Sequence, residues 1–216
     1  MNNKQAGIGM TSARTRQRLI DRLREQGIDD EGVLSVIFGT PRHLFLDEAL
    51  QHQAYEDRPL SIGYHQTISQ PFIVALMTQI VGASEDSAKR VLDVGTGCGY
   101  QASVLSQLVD WVFTIERIPE LSFSARERLQ SLGYKNISYL VGDGYQGWKN
   151  KAPFDAIIVA AAPPKVPQML KQQLAVGGRL VIPVGSGNSQ ALRLIERTNS
   201  GFAEQTIGAV NFVPLI

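Results

Sequence analysis

Five strand-like apolar runs alternate with helical stretches between residues 90 and 185, which predicts an α/β fold with a doubly wound, mostly parallel sheet. Two further observations complete that reading. The first third of the chain has helical periodicity and no strand pattern, predicting an N-terminal helical extension. The last segments, ALRLIERT, the turn residues NSG and an extended run to Ile216, have no helix between them and predict a C-terminal antiparallel edge hairpin. At 216 residues and 44% hydrophobic content the chain fits one domain over 13–216, helical over 13–89 and sheet-forming over 90–216, behind a flexible 1–12.

In chain order, Ser12 is placed to cap a helix with Leu19, Ile20 and Leu23 on one face and Gly27 beyond its end. A second helix is expected over Glu31 to Phe38, closed by Gly39 and Pro41. Residues 51–68 lack a period and read as a loop. In TISQPFIVALMTQIVG, Ser69 or Gln70 can cap a helix with Pro71 in its first turn, and Ile73, Leu76, Met77 and Ile80 form its apolar face. Then follow strand RVLDV, a helix over Tyr100 to Leu108, strand WVFTIE, helix PELSFSARERLQSLG, strand NISYLV, a short helical piece after GDG, strand FDAIIVAAA, helix VPQMLKQQL and strand RLVIPVG.

Composition excludes several classes. Lys+Arg 21 against Asp+Glu 20 leaves a net charge of +1, giving no field for a nucleic-acid backbone. A single cysteine suits a reducing compartment, no apolar start resembles a signal peptide, and no run approaches a membrane span, so a cytoplasmic protein is expected. Three histidines without ligand spacing argue against a metal site. The arginines at 14, 16, 18, 22 and 24 read as a solvated helix face.

The chemistry centres on VLDVGTGCGYQ, a strand running into alternating glycines, where a ligand binds at the carboxyl end of an open parallel sheet. A dinucleotide fingerprint needs a third glycine where Tyr100 stands, and Asp93 beside the loop would repel a diphosphate. S-adenosyl-L-methionine carries a sulfonium and an ammonium that suit that carboxylate, and its own carboxylate can take the helix N-terminus. Gly95, Thr96 and Gly97 form the expected loop. Glu116, 21 positions after Gly95, is placed to accept ribose hydroxyls, and Asp143, followed by Gly144, to accept from the adenine amino group. Three acids at successive strand ends make one constellation.

LDVGTGCGYQ, VFTIER, GDGYQGW, FDAIIVAAAPP, LVIPVG, the final FVPL and the upstream TISQP together resemble the protein-L-isoaspartate O-methyltransferases, from about Thr15 to the C-terminus. The resemblance implies a Rossmann-like S-adenosylmethionine-dependent methyltransferase fold and repair of isoaspartyl-containing proteins and peptides; a monomer is expected. It implies methylation of the α-carboxylate freed when an aspartyl or asparaginyl residue rearranges; the ester then closes to a succinimide. Ser69 would be the active-site serine orienting the acceptor carboxylate, with Thr67 and Ile68 lining the same pocket. A competing acceptor, RNA or a small molecule, is disfavoured because AAAPP stands where an N/D-P-P-Y-type motif would follow the fourth strand. Asp93 replaces the more usual glutamate, Cys98 a serine, and GYHQTIS departs from the family's G-x-G-Q-T-I-S at His65. Ala161 to Pro164 fit either part of the pocket rim or a plain strand-to-helix turn.

Overall fold

The computed structural model describes residues 9–82, 89–187 and 189–216. Expectations for residues 1–8 lie outside them; residues Gly9–Thr11 form a 3-10 turn leading into the first helix.

Helix α1 (Ala13–Glu25) buries Leu19, Ile20 and Leu23, as its spacing requires. Ser12 stands at its N-cap without a side-chain capping bond, and the chain leaves through Gly27 at φ 95°. The arginine stripe is not uniformly solvated: Arg16 is buried, its guanidinium 5.7 Å from the Tyr55 ring centroid, while Arg24 pairs with Glu31 at 2.8 Å. Helix α2 (Glu31–Gly39) starts at Asp30, whose carboxylate accepts from the Val33 N–H at 3.0 Å.

The loop expected over 51–68 is partly a β-hairpin. A 3-10 turn over Glu48–Gln53 precedes strands β1 (Leu60–Gly63) and β2 (Gln66–Ile68), paired antiparallel with Leu60 opposite Ile68. The turn residues Tyr64 and His65 both have positive φ, 52° and 57°. Two such residues make a primed hairpin turn, for which Asn-Gly is the usual sequence. Tyr-His gives no such signal, so the hairpin was illegible. Replacing Tyr64 by Asn and His65 by Gly is expected to raise stability by about 1 kcal/mol, a few degrees in thermal midpoint. A scan showing a lower midpoint would contradict the turn geometry.

Helix α3 (Pro71–Ile80) begins at Gln70 rather than Ser69. Its first turn is capped from outside: Asp57 accepts from the Phe72 N–H at 2.9 Å and from the Gln70 amide at 3.1 Å. Ser69 is thereby released from capping.

Among the described residues the main sheet has seven strands: β3 (Arg90–Val94), β4 (Trp111–Glu116), β5 (Ile137–Val141), β6 (Phe154–Val159), β7 (Leu174–Ser186), β8 (Ser189–Thr198) and β9 (Gly201–Val210). Their spatial order is β5-β4-β3-β6-β7-β8-β9. Pairs β5/β4, β4/β3, β3/β6 and β6/β7 are parallel; β7/β8 and β8/β9 are antiparallel, forming the predicted edge. Helices α4 (Tyr100–Leu105), α5 (Pro119–Ser131) and α6 (Gln168–Gln172) accompany the parallel strands.

Two helices are shorter than expected. In α4, the Ser106 hydroxyl bonds back to the Ser103 carbonyl and the chain tightens into turns. In α6, Pro167 stands at the N-cap and Leu174 already pairs with Phe154, so β7 starts early; a register shift then carries the chain to the Arg179–Ala156 pair. Apolar side chains cover both sheet faces. Val91, Val112, Ala156, Ile158 and Val181 pack with the N-terminal helices, whereas Leu92, Phe113, Ile157, Leu180 and Ile182 pack with Leu170 and Trp148. The order reverses between β3 and β6, and the functional clefts lie at the carboxyl ends of those two strands.

Candidate active site

The glycine loop is held by its neighbours in the sheet. The N–H groups of Gly95 and Thr96 both donate to the Ile115 carbonyl, at 2.8 and 3.1 Å. The Gly97 N–H donates to Glu116 Oε2 at 2.9 Å, and the Ile118 N–H to Glu116 Oε1 at 3.0 Å. Glu116 therefore stitches the loop to the end of β4. A carboxylate offers about four lone-pair sites, so roughly two stay open to a ligand's hydroxyls.

Beneath the loop runs a buried chain. Thr114 donates to Asp93 Oδ2 at 2.7 Å, and the Thr96 and Thr114 hydroxyls lie 2.6 Å apart. With Thr114's single proton committed to Asp93, Thr96 is the donor to Thr114. Asp93 Oδ1 has no partner among the described residues. Burial pushes the Asp93 carboxyl up to about 7, opposed by the Thr114 hydrogen bond and reinforced by the Glu116 charge.

That shift has a defined sign. The folded state keeps a proton that the unfolded chain releases near the ordinary value of 3.8, so Asp93's contribution is most favourable below that pH. Its contribution is lost progressively as pH rises towards about 7. Asp93→Asn should flatten the fall in unfolding free energy of the ligand-free protein over that range. Urea titrations with the same slope for parent and variant would contradict it.

Three connected spaces open at the strand ends. The first, about 560 Å³ including open solvent, is lined by Thr67, Gly95, Gly97, Glu116, Gly144 and Ala160, with the tail residues Val213 to Ile216 as one wall. The second, about 1140 Å³ on the same measure, is a groove between Thr67, Ser69, Phe72 and Ile73 on one side and residues 209–213 on the other. The third, about 400 Å³, joins them through Thr67, Ile68, Ser69, Gly95, Thr96 and Gly97. Thr67 and Ala160 border all three spaces, and Ser69 borders the groove and the junction. The Ser69 hydroxyl makes no hydrogen bond among the described residues, although its carbonyl accepts from Arg42.

Of the sequence-predicted residues, Gly95, Gly97, Glu116, Gly144 and Thr67 meet in the first cleft, and Thr96, Ile68 and Ser69 at its junction with the groove. The expected wall of three acids is not assembled. Asp93 lies fully buried behind the loop, and Asp143 is exposed, its carboxylate accepting from the Tyr145 N–H at 2.8 Å. The charged linings of the cleft are Glu116 and Arg117. Of residues 161–164, Ala161 lines the cleft.

Sequence reasoning missed the tail wall. Phe212 is clamped by Gln190, whose amide accepts from its N–H at 2.7 Å and donates to its carbonyl at 3.0 Å. The Leu215 N–H donates to the Ala162 carbonyl, and the Ala162 N–H to that of Val213. Among the described residues no cluster of metal-ligating side chains occurs, and no helix is long and apolar enough to cross a membrane.

The cleft fits a nucleoside cofactor. A Cβ on Gly144 would come 2.6 Å from Val94 Cγ1 and 3.2 Å from Leu215 Cδ1, so bare backbone forms that wall. Beside it, Glu116 stands rigid with open lone pairs for a diol.

Comparison with known proteins places the chain in a family. Residues 14–216 match the family model for protein-L-isoaspartate(D-aspartate) O-methyltransferase. A protein-L-isoaspartate O-methyltransferase of Pseudomonas aeruginosa is 56% identical over 207 residues, spanning 96% of this chain and 98% of that one. Its counterpart in Pseudomonas fluorescens is 55% identical over the same length. A solved protein-L-isoaspartate O-methyltransferase superposes with a TM-score of 0.83 at 28% identity, covering 92% of this chain and 65% of that longer one. A Plasmodium falciparum structure described as a beta-aspartate methyltransferase in complex with S-adenosyl-L-homocysteine gives 0.81 at 26% identity, covering 93% and 98%. The chain belongs to the protein-L-isoaspartate(D-aspartate) O-methyltransferase family.

Proposed function

We propose that this chain transfers the methyl group of S-adenosyl-L-methionine to the free α-carboxylate of L-isoaspartyl residues in damaged proteins and peptides. The observation that carries the reading is the meeting, at Thr67 and Ala160, of a glycine-walled cleft holding Glu116 with a wider groove, Ser69 standing at their junction. The cofactor, when bound, supplies an electrophilic methyl on a positively charged sulfur. Glu116 accepts the ribose hydroxyls, while Gly95, Thr96, Gly97 and Gly144 let backbone line the cleft. Asp143 accepts from the adenine amino group from just outside the wall. Asp93 acts from behind the loop, where its ionised form favours a cationic ligand and its bond from Thr114 orients the hydroxyl that Thr96 meets.

The groove receives the substrate chain. An α-carboxylate, with a pKa of roughly 3.5, arrives ionised and needs no general base. Ser69 donates its hydroxyl to that carboxylate, and Thr67 and Ile68 shape the pocket around it. Holding nucleophile and methyl donor close and dry is the main contribution, on the order of 7–11 kcal/mol for well-oriented pairs. The resulting ester closes to a succinimide when the next backbone nitrogen attacks it and methanol leaves.

One domain over residues 13–216 carries out this chemistry. It acts as a monomer, and the free buried Cys98 suits a cytoplasmic setting. The test is the chemical fate of the product. An isoaspartyl peptide incubated with enzyme and S-adenosyl-L-methionine should gain a methyl group, then lose methanol in mild base to give succinimide. A base-stable methylated product would reject carboxyl transfer.

A further inference from the structure

Arg42 lines none of the three spaces described above, yet it touches the segments that build the site. Its guanidinium is wholly buried, in the 3-10 turn Arg42–Phe45. Nε donates to the Ala54 carbonyl at 2.9 Å and Nη2 to the Ser69 carbonyl at 2.7 Å. The guanidinium carbon lies 4.8 Å from the ring centroid of Tyr100, the first residue of α4 after the glycine loop. One rigid planar group thus ties the segment before the β1–β2 hairpin, the acceptor-side serine and the helix behind the cofactor loop. Those contacts span 12 and 27 residues to the carbonyls, and 58 from Arg42 to Tyr100.

Stability alone is a weak reason for this arrangement. A cation removed from water is costly, and Arg42 Nη1 has no hydrogen-bond partner among the described residues. A well-packed apolar side chain would hold the same core at lower cost. What an apolar side chain lacks is a fixed fork of donors that locks two carbonyls at a set angle. At a reaction governed by approach geometry, that is the useful property.

We propose that Arg42 is a positioning residue of the methyl transfer, setting the Ser69 hydroxyl relative to the cofactor loop by bridging the Ser69 carbonyl to the Tyr100 ring. This rests on the reading of Ser69 as the group that orients the acceptor carboxylate. Lysine keeps the charge but offers one nitrogen, which cannot reproduce the fork.

The test compares Arg42→Lys, Ser69→Ala and the double variant, with Arg42→Gln as a second form should the lysine chain fold poorly. Titration with S-adenosyl-L-homocysteine counts folded sites, and turnover of an isoaspartyl peptide is expressed per counted site. Arg42→Lys is expected to lower kcat roughly tenfold to hundredfold while cofactor affinity stays within about threefold. Added to Ser69→Ala, it should cost little more, because residues acting as a unit are not additive. An equal fall in both backgrounds would overturn the proposal, as would a loss of cofactor affinity parallel to the loss of kcat. Unchanged kcat in Ser69→Ala alone would remove the serine role, and this proposal with it. A slow Ser69→Ala beside a fully active Arg42→Lys would reject only the part given to Arg42.

Discussion

Glu116→Ala is expected to weaken S-adenosyl-L-homocysteine binding by roughly tenfold to hundredfold, with a smaller loss in stability. Two losses combine. The variant removes the proposed acceptor for the ribose hydroxyls, and a hydrogen bond to a charged group contributes about 1.5–3 kcal/mol. It also releases the N–H groups of Gly97 and Ile118, which Glu116 holds at 2.9 and 3.0 Å, so the loop loses its tie to β4. Glutamine separates the contributions: its single acceptor oxygen can satisfy one N–H while its NH₂ group faces the other. Glu116→Gln should therefore fall between parent and alanine. Calorimetry showing parent-like affinity for Glu116→Ala would contradict the placement of the ribose.

Ser69→Ala should have the opposite profile. The hydroxyl has no hydrogen-bond partner among the described residues and stands at the junction of cleft and groove, so its loss leaves the protein's own hydrogen bonding intact. The Ser69 carbonyl still meets Arg42, and the loop should keep its path. Turnover is expected to fall roughly tenfold to hundredfold, the cost of one donor to a charged acceptor, with cofactor affinity within a few-fold. A hydroxyl so placed acts as donor rather than nucleophile, since none of the hydrogen bonds around it supplies a base. Kinetics showing an unchanged kcat would contradict the orienting role.

The two profiles follow from how the chain divides the work. Sheet residues hold the cofactor loop through local bonds to neighbouring strands, and the N-terminal segment presents Ser69 from the other side. The tail residues after β9 close both spaces, since Val213 borders cleft and groove alike.

The parallel core was legible because its strands are short, strongly apolar runs, such as AIIV at 156–159, set between turn residues such as Pro153 and Pro163. The glycine loop was legible for the same local reason, and Gly95, Gly97, Glu116 and Gly144 do share a cleft. What escaped was long-range. Asp57 caps α3 from a loop, and Gln190 clamps Phe212 from β8; neither contact follows a local rule. Asp93 was expected to face the ligand because it precedes the loop, yet strand alternation puts its side chain on the face shared with Val91, under Thr114. Nothing in the sequence singles out Arg42, since burial of a charge becomes visible only once the fold encloses it.

The central claim is that the acceptor is an isoaspartyl α-carboxylate presented in the groove beside Ser69. Its most direct test is labelled methyl transfer from S-adenosyl-L-methionine to two peptides identical except for one isoaspartyl or aspartyl linkage. Label confined to the isoaspartyl peptide is the predicted result; equal labelling of both, or of neither, would contradict it.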